Sequence, residues 1–144
     1  MAEALEEAEM SGASFRVSAV LPAAPEQVFK AWMSSKGHGA MTGGTAKVTA
    51  KIGAKFSAWD GYITGKTLEL VPGQRIVQAW RTTDFPEDAE DSRIEISLKK
   101  ERKGTRITLV HTEVPRKQAA EYKRGWVDFY FRPMKLYFAE AKKV

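Results

Sequence analysis

The chain has 144 residues, 43% hydrophobic and 28% charged, a balance that excludes a disordered chain and fits one globular domain. It holds no cysteine, which excludes a disulfide framework, a thiolate nucleophile and a thiolate metal site, and no apolar run nears the ~18 residues of a spanning helix. The net charge is +5 and is spread in blocks, which is the usual pattern of solvated faces. Residues 1–12 read as an acidic tail with four glutamates and no base. That start lacks the positive-then-apolar pattern of a secretory signal, so the expected location is cytoplasmic. Residues 13–144 read as one domain.

Phe15, Val17, Ala19 and Leu21 share one face at period two, predicting a half-buried strand that Pro22 ends. Pro25 suits a first helical position, and Val28, Phe29 and Trp32 form one apolar stripe on a short helix. Four glycines between Ser34 and Gly44 limit the next helix to a short turn and leave His38 in an expectedly mobile segment. Ala46, Val48, Ala50 and Ile52 alternate with polar residues, predicting a strand over 46–52.

A further extended run over 56–59 leads into Asp60-Gly61, the strongest hairpin signal in the chain, because a type I′ turn needs positive φ at both central residues. Strands over 62–70 and 75–82 follow, separated by the turn Val71-Pro72-Gly73-Gln74, with Ile76, Gln78 and Trp80 on one face. After an acidic loop over 84–91, Ile94, Ile96 and Leu98 pair as a meander with Ile107, Leu109 and His111. From Ala119 the period becomes 3.6: Tyr122, Trp126, Phe129, Tyr130, Met134 and Phe138 mark a long amphipathic helix, with a kink expected at Pro133. The predicted class is α+β: a curved antiparallel sheet wrapped round a long C-terminal helix, with two short helices after the first strand.

Several blocks carry a resemblance. Gly53-Ala54-Lys55-Phe56-Ser57-Ala58-Trp59-Asp60-Gly61-Tyr62-Ile63-Thr64-Gly65, Leu68-Glu69-Leu70-Val71-Pro72, Ile76-Val77-Gln78-Ala79-Trp80-Arg81, Phe85-Pro86-Glu87 and Gly125-Trp126 with Tyr130-Phe131 resemble one family. It is the C-terminal domain of the heat-shock-protein-90 ATPase activator and its stand-alone bacterial relatives, within the START-like (helix-grip, SRPBCC) superfamily. The resemblance runs over residues 15–140 and implies the helix-grip fold, a stand-alone member without the separate N-terminal domain of the eukaryotic activator, and a role in stress response. The superfamily spans lipid and sterol carriers, binders of hydrophobic ligands, polyketide cyclases and the co-chaperone domain, so the fold does not choose among them.

The first candidate site is a cavity between sheet and helix, lined by Met41, Phe56, Trp59, Gln78, Trp80, His111, Tyr122, Trp126, Phe129 and Tyr130. Gln78 and His111 are polar groups on dry faces, and a few such groups in an apolar pocket orient a ligand. The second is catalysis: His111 and Glu113 at i and i+2 would share a strand face as a tuned base. The third is recognition of a protein by the acidic loop beside an exposed Phe85-Pro86. No metal-ligating spacing is present and no cofactor is expected. Nucleic acid is not an expected partner either, because the bases of the last helix fall on its wet face and its aromatics on its dry one. The expected function is a non-enzymatic module that binds a small hydrophobic or amphipathic molecule; the alternative is a co-chaperone acting on a heat-shock-protein-90-type ATPase, and a cyclase or hydrolase comes third.

Overall fold

The computed structural model describes residues 12–143; the predicted acidic tail lies outside them except for Gly12. The elements run β1 (Ala13–Leu21), α1 (Pro25–Trp32), α2 (Ser35–Thr42), β2 (Lys55–Ala58), β3 (Ile63–Val71), β4 (Arg75–Thr82), β5 (Ser92–Glu101) and β6 (Gly104–Val114). A short 3-10 turn (Arg116–Gln118) then leads into α3 (Ala119–Gly125), a π-helical segment (Trp126–Phe131) and α4 (Arg132–Lys143). The six strands form one curved antiparallel sheet in the order β1-β6-β5-β4-β3-β2. The two chain-distant strands β1 and β6 pair directly, and β1 lies against the C-terminal helix.

The period-two runs behave as their alternation requires. Val17, Ala19 and Leu21 of β1, Ile94, Ile96 and Leu98 of β5, and Ile107, Leu109 and His111 of β6 are buried, while their neighbours Arg16, Ser18, Arg93 and Ser97 are exposed. The turns follow their residue chemistry. Tyr62 N donates to Trp59 O at 3.1 Å across Asp60 (φ 56°) and Gly61 (φ 89°), a type I′ geometry. Gly73 (φ 72°) sits after Pro72 in a turn closed by Gln74 N on Val71 O at 2.9 Å.

Residues 46–52 do not form the predicted strand. Ala46 and Val48 are buried and Lys47 bridges Ser57, but Ile52 is exposed. The hydroxyl of Ser35 accepts from Val48 N at 2.8 Å and donates to Val48 O at 3.2 Å, so one side chain occupies the backbone groups a strand neighbour would need. The glycine-rich segment holds more helix than expected: Ser34 caps α2 by accepting from Gly37 N at 2.9 Å, and Gly43 closes it at φ 90°. Gly37 is required for packing, since a Cβ there would come within 2.7 Å of Ala31 Cα on α1.

Pro133 acts through the turn before it. Arg132 N donates to Val127 O, an i→i−5 bond, so the helix widens into a π segment just ahead of a residue with no N–H to give. One consequence is that the adjacent residues Tyr130 and Phe131 are both buried.

Candidate functional site

A cleft of about 380 Å³ opens between the helix and the β2–β4 end of the sheet. One wall comes from the helix, where Tyr122, Trp126 and Tyr130 step at i, i+4 and i+8, and the parallel row Glu121, Gly125 and Phe129 steps beside it. The opposite wall is Trp59, Tyr62, Ile63 and Trp80. Gly125 creates much of the space, because a Cβ built there would meet only Phe129 Cδ2 at 3.8 Å. Phe129 forms the rim, at 61% exposure.

Trp59 reaches its place by an unusual backbone. Its φ is +52°, a left-handed conformation that a bulky residue adopts at a cost. In return its indole lies against Gly44, where any Cβ would come within 2.6 Å of the ring, and meets Phe129 edge to face at 6.0 Å. Tyr62 OH donates to Asp84 Oδ2 at 2.7 Å, and Tyr122 OH bonds Thr82 Oγ1 at 2.6 Å and Gln118 Oε1 at 2.5 Å. Burial is the main cause that holds the Tyr62 and Tyr122 phenols above their usual range; for Tyr62 the bond to Asp84 adds to it, and for Tyr122 the charges of Asp84 and Glu121 do.

Six of the ten predicted cavity residues line this cleft: Trp59, Trp80, Tyr122, Trp126, Phe129 and Tyr130. Met41, Phe56, Gln78 and His111 do not. Met41 is sealed in the core on α2, and the Phe56 ring covers the bare backbone of Gly65, where a Cβ would meet it at 2.6 Å. Gln78 is 1% exposed and its amide is spent inside the protein, accepting from Trp32 Nε1 at 3.2 Å and donating to Thr67 Oγ1 at 3.1 Å.

His111 is sealed in the same way. The Trp126 indole can only donate, at 3.0 Å to Nδ1, so the ring proton sits on Nε2 and is given to Ser92 Oγ at 2.8 Å. Ser92 passes its own proton to Trp80 O at 2.8 Å. Burial pushes the His111 imidazole down to about 3, so it stays neutral at physiological pH. His38, expected to be mobile, is buried on α2. Its Nδ1 donates to Trp32 O at 2.9 Å and its Nε2 accepts from Tyr130 OH at 2.8 Å. Its pKa is lowered, chiefly by burial, with the bond to the Trp32 carbonyl opposing.

The predicted His111–Glu113 pairing is overturned by a β-bulge. Phe15 faces His111 but Ala13 faces Val114, so β6 carries one extra residue, and Glu113 takes φ +58°. The bulge turns the carboxylate to solvent, where it accepts from Gly12 N at 3.3 Å. Of the expected exposed Phe85-Pro86 edge, Pro86 is exposed and Phe85 is not. Phe85 is buried against Trp80 (6.0 Å) and Tyr122 (5.8 Å), and Arg81 ties the acidic loop down through Ala89 O at 3.0 Å and Asp91 Oδ1 at 2.9 Å.

Tyr62, Ile63, Glu121 and Gly125 line the cleft without having been among the expected cavity residues. The last two were detectable as a 121-125-129 row one residue behind the dry stripe.

A curved antiparallel sheet gripping a C-terminal helix, with an aromatic cleft between them, defines the START-like helix-grip class. Within it the match is more specific. Residues 22–139 match the model of the family described as Activator of Hsp90 ATPase homolog 1-like protein, and the chain belongs to that family. The human activator of 90 kDa heat shock protein ATPase homolog 1 is 26% identical over 120 residues, which are 83% of this chain and 35% of the human protein. The chain thus spans little more than a third of that relative. The crystal structure of an HSP90 activator from Plasmodium falciparum aligns with a TM-score of 0.77 at 25% identity, covering 87% of this chain and 95% of that one. CalU16 from Micromonospora echinospora, at 20% identity and a TM-score of 0.74 over 90% of this chain and 78% of its own, shares the fold. Among the described residues no helix is long and apolar enough to cross a membrane, and no cluster of His, Cys, Asp and Glu could hold a metal ion.

Proposed function

We propose that this protein acts by contact on a heat-shock-protein-90-type ATPase and catalyses no reaction itself. The observation that carries this reading is the whole-length likeness to the Plasmodium HSP90 activator, of which 95% is covered at 25% identity. The family match over residues 22–139 supports it. The loss of the His111–Glu113 pairing removes the one constellation in the sequence that suggested a general base. The test is an ATPase assay of the chaperone from the same organism with and without the purified protein. Stimulation with retention in a pull-down is expected; the absence of both stimulation and retention would overturn the reading.

The cleft favours a second activity, the binding of a small hydrophobic or amphipathic molecule. Its volume of about 380 Å³ falls within the range of ~300–1,000 Å³ of small-molecule sites, and its walls are aromatic as such sites usually are. Native mass spectrometry of freshly purified protein should show a co-purifying small molecule. Apoprotein alone, together with no quenching of tryptophan fluorescence by apolar probes, would contradict this second activity without touching the first.

A further inference from the structure

We propose that the cleft is selective for an organic cation: an alkylated ammonium group carrying a short apolar chain. This rests on the cleft-binding reading above and adds the charge and shape of the ligand.

The lining is rich in rings, and the hydrogens of several of its polar atoms point elsewhere. Trp126 Nε1 gives its proton to His111, Tyr130 OH to His38, Tyr62 OH to Asp84, and Tyr122 OH is held between Thr82 and Gln118. A carboxylate or phosphate ligand would need donors in number or a base, and the lining contains no lysine, arginine or histidine. Glu121 is its one formally charged residue. Aromatic faces attract cations through the ring quadrupole, and a quaternary ammonium asks for no hydrogen bond in return.

A second carboxylate lies behind the wall. Asp84 Oδ2 accepts a hydrogen bond from Tyr62 OH at 2.7 Å, which raises the electron density of that ring. The charges of Asp84 and Glu121 both act to hold the Tyr122 phenol up, so two carboxylates stand near this end of the cleft. A cation with a short tail would put its head between the Tyr62, Tyr122 and Glu121 end and its tail along Trp59, Trp126 and Phe129.

The probes are butyrylcholine, its neutral isostere 3,3-dimethylbutyl butyrate, in which carbon replaces the charged nitrogen, and hexyl sulfate as the anionic control. Binding is read by tryptophan fluorescence and by titration calorimetry on the full chain. Butyrylcholine should bind about tenfold or more tightly than the isostere, and hexyl sulfate should be weakest. Glu121→Gln, at an exposed position that leaves folding intact, should lower butyrylcholine affinity roughly three- to tenfold and leave the isostere unchanged. Equal binding of cation and isostere, tighter binding of the sulfate, or an unaltered preference in Glu121→Gln would overturn the proposal while the cleft reading stands. If none of the three binds, both fall.

Discussion

Two stretches of the same helix–sheet interface use the same kinds of residue to opposite effect. At one, Trp32 and Trp126 stack with centroids 6.2 Å apart, and each indole N–H is received by a buried polar group, Gln78 Oε1 or His111 Nδ1. At the other, Trp59 and Phe129 meet edge to face at 6.0 Å beside open space. Aromatic density therefore does not separate core from cleft. The separation comes from two local features: closed hydrogen-bond chains that hold the first stretch shut, and Gly125 with the left-handed Trp59 that keep the second apart.

The largest expected effect strikes the closed stretch. Trp126→Ala removes a buried ring and leaves His111 Nδ1 without its donor, and should cost about 3–5 kcal/mol in urea melts. A loss of a few tenths would mean that the two stretches are not energetically distinct.

The pH dependence sharpens the same contrast. His111 has a folded-state pKa lowered to about 3, whereas its unfolded value is ~6.5. Its contribution is therefore complete above ~6.5 and declines as pH falls toward 3, because only the unfolded chain takes up the proton in that window. The expected slope is about 1.4 kcal/mol per pH unit, so pH 5 should cost about 2 kcal/mol relative to pH 7. His38 is shifted the same way and adds to the decline. A urea midpoint that stays flat from pH 7 to 5 would show both imidazoles already open to water.

The smallest effect belongs to the open stretch and has the opposite sign. Gly125 has helical angles (φ −59°, ψ −40°) and room for a methyl group. Gly125→Ala should stabilise by about 0.5–1 kcal/mol. Destabilisation in thermal melts would show that the gap beside Phe129 is filled in solution.

Much of this architecture was legible in the chain. Alternation at Val17–Leu21, Ile94–Leu98 and Ile107–His111 revealed which strand faces are dry, because burial on one side of a pleat imposes period two. Asp60-Gly61 revealed its turn because few residues tolerate its φ values. The failures have physical causes too. Ala46 and Val48 alternate because they rest on the core, yet alternation carries no word about backbone partners, and the Ser35 hydroxyl supplied them. The bulge at Glu113 places a residue other than glycine at positive φ, so nothing in its type announces it. Gln78 and His111 were correctly placed on dry faces, but periodicity does not tell a satisfied core amide from one aimed at a ligand. Only the partners do.

The four tryptophan indoles allow the contrast to be measured in one experiment, hydrogen exchange of the Nε1–H resonances by NMR. The account predicts that Trp32 and Trp126 exchange slowly, close to the rate of global unfolding, while Trp59, half-buried at the cleft with its indole turned to the Tyr130 hydroxyl, exchanges faster than either. Exchange at Trp126 as rapid as at Trp59 would contradict it, since the interface would then be open along its whole length.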